Sequence, residues 1–487
     1  MESQNLKQRT IKGIITQIFV NFILKGLTVI KTFIFARIFV PEDFGIFATA
    51  VLVISFITLF GELGISQSII KEKGDARKLM DTAFTMNILV GFLFLIMIFL
   101  SAPIAANIFG NPDLTLYILF LSYSAFGAAL ELPNVMFDRE MRFGISKLPQ
   151  FFLLVATFVV TIIAVKLYHM GTWSLFLGAL AGFIANVFAI WVFAPYKPKV
   201  RFDKADAVQL FSFGWPLLIN SILAYIVLQG DDLLVRYFWG DEMLGYYTIA
   251  FYMPMYLIQI VNMISAVLLP AFSKIQDSKE KLEYAFAISN KYLAIICVPI
   301  GIGMAVFAPQ IIHYFYSDKW APAIPVLQIF ALSFMISTST GYNWGTLAVI
   351  KGKTKYFVFN NLIIVLGFIS VGYWLIRDYG MMGGAVYNLF TTFITAIIIR
   401  IFVIKKFIGN FNYLKSIYPV ILSGCLSGVL IYYVFNEIYF ILNVSLFILF
   451  YIIILLLMDR KLILEVRGIL MQFKNKDINS VSIISKK

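Results

Sequence analysis

Polar and apolar positions along the 487-residue chain are grouped in long blocks, with apolar runs of about 20 residues separated by short polar breaks. Each run is long enough to cross a hydrocarbon core about 30 Å thick as a helix. A backbone in lipid must satisfy its own hydrogen bonds, which leaves helices or a closed barrel. Barrel strands would alternate over about ten residues, whereas these blocks are continuous, so the pattern predicts an all-α integral membrane protein of about 14 transmembrane helices. The blocks place the spans near 12–39, 43–66, 80–101, 114–135, 149–168, 172–194, 209–236, 244–269, 285–308, 324–349, 356–376, 382–403, 416–436 and 438–458. The first block carries no small-residue cleavage site and reads as a retained span.

Composition agrees with this pattern. The chain is 61% hydrophobic and only 13% charged, against roughly 25% charged residues in a soluble domain. The net charge of +13 could suggest nucleic acid, but its distribution argues otherwise. Lys and Arg fall on alternate loops, and the opposite side carries only Lys166, Arg236, Lys319 and Arg377. This asymmetry predicts that the basic side, with both termini, is cytoplasmic. The charge is then a topology signal, and no nucleic-acid partner is expected.

The chain contains an internal repeat at an offset of 200. PEDFGIFATA from Pro41 resembles GDEMLGYYTIA from Gly240, aligning Glu42 with Glu242, Gly45 with Gly245, Phe47 with Tyr247 and Ala50 with Ala250. Six predicted spans separate the copies, so the two halves share one orientation. The expectation is two pseudo-symmetric six-helix lobes, 1–205 and 206–408, followed by two extra helices in 409–458 and a cytoplasmic tail in 459–487. Transporters are often built from such repeats, with the substrate site at the repeat interface.

Polar residues inside the spans point to where that site lies. In the first span Gln17, Asn21, Lys25, Thr28 and Thr32 fall within a sector of roughly 80°, with Lys31 beside it. In the seventh span Ser221, Tyr225, Gln229, Asp232 and Arg236 form the same stripe. Intramembrane charge is costly and usually faces the bundle interior, so both stripes are expected to line a cavity. Lys25 and Lys31 suit a phosphate, with Gln17, Asn21, Thr28, Tyr225, Gln229 and Arg236 as further substrate contacts. Asp231 and Asp232, with Glu62 on the second span, suit ion coupling or gating. The competing reading is a plain ion pair between Lys25 or Lys31 and Asp231 or Asp232. Elsewhere, Arg37 is expected to snorkel or to pair with Glu42, and Lys291 to snorkel to the cytoplasm.

Other chemistry finds little support. Cys297 and Cys425 both lie in apolar blocks and read as buried small hydrophobes. His169 and His313 are too far apart in sequence to suggest a metal pair. There is no Walker-type phosphate loop, and no extramembrane Ser/His/Asp cluster stands out. Neither enzymatic activity, a metal nor a cofactor is expected.

Four segments resemble bacterial polysaccharide exporters of the Wzx type, in the multidrug/oligosaccharidyl-lipid/polysaccharide exporter (MOP) superfamily. They are FARIFVPEDFGIFATAVLVISF at Phe35–Phe56, GELGISQSIIKEKGD from Gly61, FDREMRFGISK from Phe137 and FSFGWPLLIN from Phe211. The similarity runs to about Gly352 and fades in the last four spans. The resemblance implies a MATE-like pair of lobes around a cationic cavity and a flippase working by alternating access. Its substrate would be an undecaprenyl-pyrophosphate-linked oligosaccharide in the bacterial inner membrane, destined for O-antigen, capsule or exopolysaccharide. Membrane lipids and polysaccharide polymerase machinery are the implied partners. The family's cationic position on the first span carries over to Lys25 and Lys31. Two alternatives remain open: an exporter of drugs or of the peptidoglycan lipid precursor, and a non-transporting component of a polysaccharide assembly complex.

Overall fold

The computed structural model describes residues 2–61, 65–72, 74–140, 142–409, 413–434, 439–460 and 462, with side chains described from Phe19 onward apart from a few helical positions. Among the described residues the regular structure is helical, without strands. Twelve stretches are long and apolar enough to cross a bilayer. They are α1 (Phe19–Ile38), α2 (Pro41–Gly61), α3 (Ala76–Ile108), α4 (Leu114–Arg139), α5 (Gly144–Lys166), α6 (Trp173–Phe193), α7 (Ser221–Lys274), α8 (Lys279–Val306), α9 (Asp318–Ser339), α10 (Lys355–Ile394), α11 (Ile417–Val434) and α12 (Phe440–Met458).

The difference between twelve stretches and about 14 expected spans arises at two places. α7 runs for 54 residues and α10 for 40, which at about 1.5 Å per residue is roughly 80 and 60 Å, far beyond one crossing. Each contains a non-helical glycine: Gly240 at φ 88°, ψ −178° and Gly380 at φ 60°, ψ −135°. Gly240 falls between the predicted spans 209–236 and 244–269, and Gly380 between 356–376 and 382–403. Helical hydrogen bonding resumes at once after each break, so two predicted spans join into one stretch. The Gly240 conformation is essentially closed to residues with a Cβ. Space is not the issue there, since an added Cβ would meet nothing within 4 Å. Gly240→Ala is therefore expected to lose about 1–3 kcal/mol through backbone strain alone. The thermal unfolding midpoint of the detergent-solubilised protein checks this, and an unchanged midpoint contradicts it.

The chain forms two compact units. The first comprises 1–263, 312–326 and 354–391. Its core packs Ile46, Ala50 and Ile54 of α2 with Phe94 and Ile98 of α3, Ile118 and Leu121 of α4, and Phe176 of α6. Lipid supplies no hydrophobic force between helices, so close approach depends on small residues. Accordingly, α6 sets Gly178 and Gly182 against Thr161 and Thr157 of α5. On the basic side, Asp81 Oδ1 accepts hydrogen bonds from the Tyr196 hydroxyl at 2.7 Å and the Lys199 amide at 2.8 Å. Arg139 donates to the carbonyls of Ile69 at 2.6 Å and Gly74 at 2.9 Å. Loop charges on this side thus also hold the loops in place.

At the other end of α1, Arg37 does not pair with Glu42. It donates to the carbonyls of Tyr314 and Phe315, because residues 312–326 fold back against α1. Trp320 Nε1 donates to the Ala36 carbonyl at 2.7 Å, and Lys319 Nζ to that of Arg37 at 3.0 Å.

The second unit comprises 264–311, 327–353 and the chain from 392 onward. Here α11 lays Gly424 and Gly428 against Ile302 of α8, and the Tyr451 hydroxyl of α12 donates to the Ile295 carbonyl at 2.9 Å. Lys291 does not snorkel. Its Nζ lies 2.9 Å from Asp459, with both side chains largely buried, because Asp459 follows directly on the end of α12. Cys297 is buried as expected, whereas Cys425 is exposed.

Candidate functional site

The polar face of α1 is accommodated by bonds along its own helix. Thr28 Oγ1 donates to the Leu24 carbonyl at 2.8 Å, and Thr32 Oγ1 to the Thr28 carbonyl at 2.9 Å. This back-bonding satisfies a hydroxyl inside an apolar helix. The Thr32 hydroxyl also lies 3.5 Å from that of Tyr256 on α7. One residue earlier, the Lys31 ammonium sits 5.7 Å from the centroid of the Phe35 ring.

Lys31 and Thr32 open on a cavity of about 300 Å³ within the first unit. Its polar lining includes Gln229, Asp232 and Thr248 of α7, and aromatic residues such as Phe44 and Phe47 of α2 form part of its wall. Tyr252 and Tyr256 also line it, with their rings stacked at 6.0 Å and 15°. The site therefore combines apolar and aromatic walls with a few convergent polar groups, the usual composition of a small-molecule pocket.

Two buried polar atoms in this lining have no partner. Asp232 is 9% exposed and Thr248 7% exposed; Asp232 Oδ1 and Thr248 Oγ1 make no hydrogen bond among the described residues. Buried polar atoms are nearly always paired, and exceptions concentrate where a ligand, ion or water is held. Lys31 likewise has no carboxylate within the 4.0 Å of an ion pair among the described residues. Lys31 and Asp232 thus line one cavity without forming an ion pair with each other, contrary to the plain ion-pair reading for these two residues.

The other expected site residues are placed differently. Asp231 is not part of the lining: its Oδ2 accepts from the Tyr247 hydroxyl at 2.6 Å and its Oδ1 from the Asp232 amide at 3.1 Å. The Tyr225 hydroxyl donates to the Leu52 carbonyl at 2.8 Å, tying α7 to α2. Arg236 is buried outside the cavity. Its Nε lies 2.5 Å from Asp241 Oδ1 and its Nη2 donates to Asp241 Oδ2 at 2.8 Å. Further donation to Thr49 Oγ1 and the Phe109 carbonyl, both at 3.2 Å, commits the guanidinium to protein groups. Asn21, Lys25 and Thr28 are half-buried on α1 and not part of the lining. The Gln17 side chain and Glu62 lie outside the described residues.

Several lining residues escaped sequence reasoning. Thr157 and Thr248 are isolated hydroxyls in apolar helices, a signal that stripe counting does not register. Tyr252 and Tyr256 share a face of their span in the sequence, but only as a weaker signal than the two stripes, because aromatic residues abound in every span and mostly pack. Asp241 stood out only as part of the repeated turn, since its partnership with Arg236 depends on the chain reversal at Gly240.

Residues 34–325 match the family described as polysaccharide biosynthesis protein. The chain belongs to this family. The matched segment begins two residues after Thr32 and contains all the α7 lining of the cavity. A relative within reach of this polysaccharide biosynthesis protein is the lipopolysaccharide biosynthesis protein WzxC of Escherichia coli (strain K12), 24% identical over 422 residues, with 83% of each chain covered. Among solved structures, the lipid II flippase MurJ in an inward closed conformation is similar at a TM-score of 0.78 and 19% identity, covering 92% of this chain and 100% of that one. An inward-facing multidrug resistance MATE family transporter of the MOP superfamily follows at a TM-score of 0.66 and 14% identity, covering 81% and 98%. The expected MATE-like all-helical membrane fold is therefore present.

Proposed function

We propose that this protein is a flippase that moves undecaprenyl-pyrophosphate-linked oligosaccharide repeat units across the bacterial inner membrane by alternating access. The observation that carries this reading is the cavity in which Lys31 faces one space with Asp232 and Thr248, whose Oδ1 and Oγ1 have no hydrogen-bond partner among the described residues. An ammonium in a low-dielectric site suits a phosphate or another anionic group. A buried carboxylate and hydroxyl suit sugar hydroxyls, and the stacked Tyr252–Tyr256 pair offers an apolar ring face. At about 300 Å³ the cavity is at the low end for small-molecule sites. It encloses part of a headgroup rather than a whole repeat unit, as a closed intermediate of a transport cycle would.

The topology in this reading has 14 crossings, counting α7 and α10 twice, with both termini cytoplasmic. The repeat assigns lobes to 1–205 and 206–408, with 409–458 as an additional helix pair. Lys25, Asn21, Thr28 and Gln17 continue the Lys31 face toward the cytoplasmic end and form the path by which the anionic headgroup arrives. Asp231 and Asp232, with Glu62, form the ion-coupling or gating set. Family membership and the name of the WzxC relative support polysaccharide over drug as the substrate class. The fold likeness to a protein named as a lipid II flippase supports a lipid-linked one. The protein acts without chemistry of its own, as a transporter that supplies polysaccharide polymerase machinery on the far side.

The test is loss and restoration of surface polysaccharide. A strain lacking the gene should show no surface polymer and should accumulate the lipid-linked repeat unit, and plasmid-borne protein should reverse both. Accumulation of no lipid-linked intermediate would contradict the reading. Within the restored strain, Asp232→Asn keeps the shape and removes the charge. It is expected to reduce surface polymer about tenfold or more, the loss of one charge-assisted bond. Polymer quantified against membrane abundance checks it.

A further inference from the structure

The acidic–glycine turn that opens the 200-residue repeat occurs twice, and the structure brings its two copies into contact. A Cβ added at Gly45 would overlap the backbone carbonyl of Asp241, and one added at Gly245 would overlap that of Pro41. Residues 41 and 241, and 45 and 245, are equivalent in the repeat. One contact is therefore made twice with the roles exchanged, which is the isologous arrangement of a two-fold axis. Backbone meets backbone here, so neither glycine has a flexible neighbour that could yield. Around this pair Asp241 is clamped by Arg236, by Thr49 Oγ1 at 3.1 Å and by Asn111 Nδ2 at 3.3 Å.

The turns lie directly over the cavity. Phe44 within the first turn and Phe47 and Ala48 just after it line the cavity, as do Thr248 and Ile249 after the second. We propose that the paired turns form a latch that closes the cavity at the end away from the basic loops and that must part for the cavity to open there. The assignment of that end to the outer face rests on the flippase reading. In the latch, Gly45 and Gly245 are the contact points and Arg236–Asp241 is the clasp. Thr49 and Asn111 act through the clasp by bonding to Asp241, and none of these residues touches substrate.

A reporter cysteine at Ser55, a cavity-lining position, in a Cys297→Ala/Cys425→Ala background measures closure directly. Intact spheroplasts are treated with a membrane-impermeant thiol reagent, and the rate of modification is followed. Gly45→Ala is expected to speed labelling from outside at least tenfold over the native turn. Gly245→Ala should do the same through the reciprocal contact, which keeps the test open if one variant fails to accumulate. Gly127→Ala, whose added Cβ meets only Phe183 at an ordinary 3.9 Å, should leave the rate unchanged. Native-rate labelling in both turn variants at native membrane abundance would overturn the latch. The labelling needs no substrate, so the two readings separate. Lost surface polymer without faster labelling overturns the latch and leaves the flippase standing. Faster labelling with normal polymer leaves the latch standing and contradicts alternating access.

Discussion

Lys31→Ala is expected to lower surface polysaccharide by about 10- to 100-fold while membrane abundance stays normal. The size follows from one charge-assisted hydrogen bond to an anionic group, worth about 1.5–3 kcal/mol. The ammonium lines the cavity beside the Phe35 ring and has no carboxylate partner among the described residues. Removing it therefore breaks no ion pair of the protein, and stability should change little. Lys31→Arg tests charge against shape: it keeps the cation but replaces a compact ammonium with a planar fork, so partial function is expected. Lys25→Ala should also impair export, with a smaller effect, because Lys25 is half-buried and outside the cavity lining. Immunoblots of membranes with quantified surface polymer check all three. Normal polymer in both alanine variants would refute the cationic site.

The largest loss of stability is expected at the Arg236–Asp241 pair. The two side chains are 4% and 10% exposed and bonded through both Nε and Nη2. Removing one partner leaves the other charge buried, at a cost of about 3–5 kcal/mol. Arg236→Ala additionally strips a donor from Thr49 Oγ1 and from the Phe109 carbonyl, and a cation from the face of the Phe109 ring. Arg236→Met/Asp241→Leu leaves no orphaned charge, so the double variant should lose less stability than the sum of Arg236→Met and Asp241→Leu alone. Thermal unfolding of the purified protein in one detergent supplies the cycle. Additive losses in the double variant would show that the two side chains act independently and would contradict the pairing.

How far sequence carried the account depended on the kind of signal. The membrane blocks were readable because lipid imposes one length and one backbone solution on every crossing. The boundaries at Gly240 and Gly380 were readable from Arg236, Asp241 and Glu242 at the first and Arg377 and Asp378 at the second, but the direct continuation of helix on either side of each glycine was not. Asn21, Lys25, Thr28, Thr32, Tyr225, Gln229, Asp232 and Arg236 were all selected by helical period alone. Period assigns residues to a face, but depth along the axis decides which of them share a space. Only Thr32, Gln229 and Asp232 from those stripes, with Lys31 beside them, line the cavity. Arg236 lies one turn beyond Asp232, near enough to the Gly240 reversal to be taken up by Asp241. The side chains of Arg37 and Lys291 were expected to reach water because long cations commonly do. Arg37 stays exposed but donates to the carbonyls of residues 314 and 315, and Lys291 instead meets the carboxylate of Asp459; both acceptors come from distant parts of the chain, which no local pattern announces.

The central claim is translocation of a lipid-linked glycan through the Lys31–Asp232 cavity. Purified protein in liposomes loaded with undecaprenyl-pyrophosphate oligosaccharide tests it most directly, with glycan in the outer leaflet read by an impermeant oxidant of sugar diols. The account predicts that native protein moves initially protected glycan to the exposed leaflet over time, and that Lys31→Ala protein at equal density leaves it protected. Equal exposure with both proteins, or none with the native protein, would contradict it.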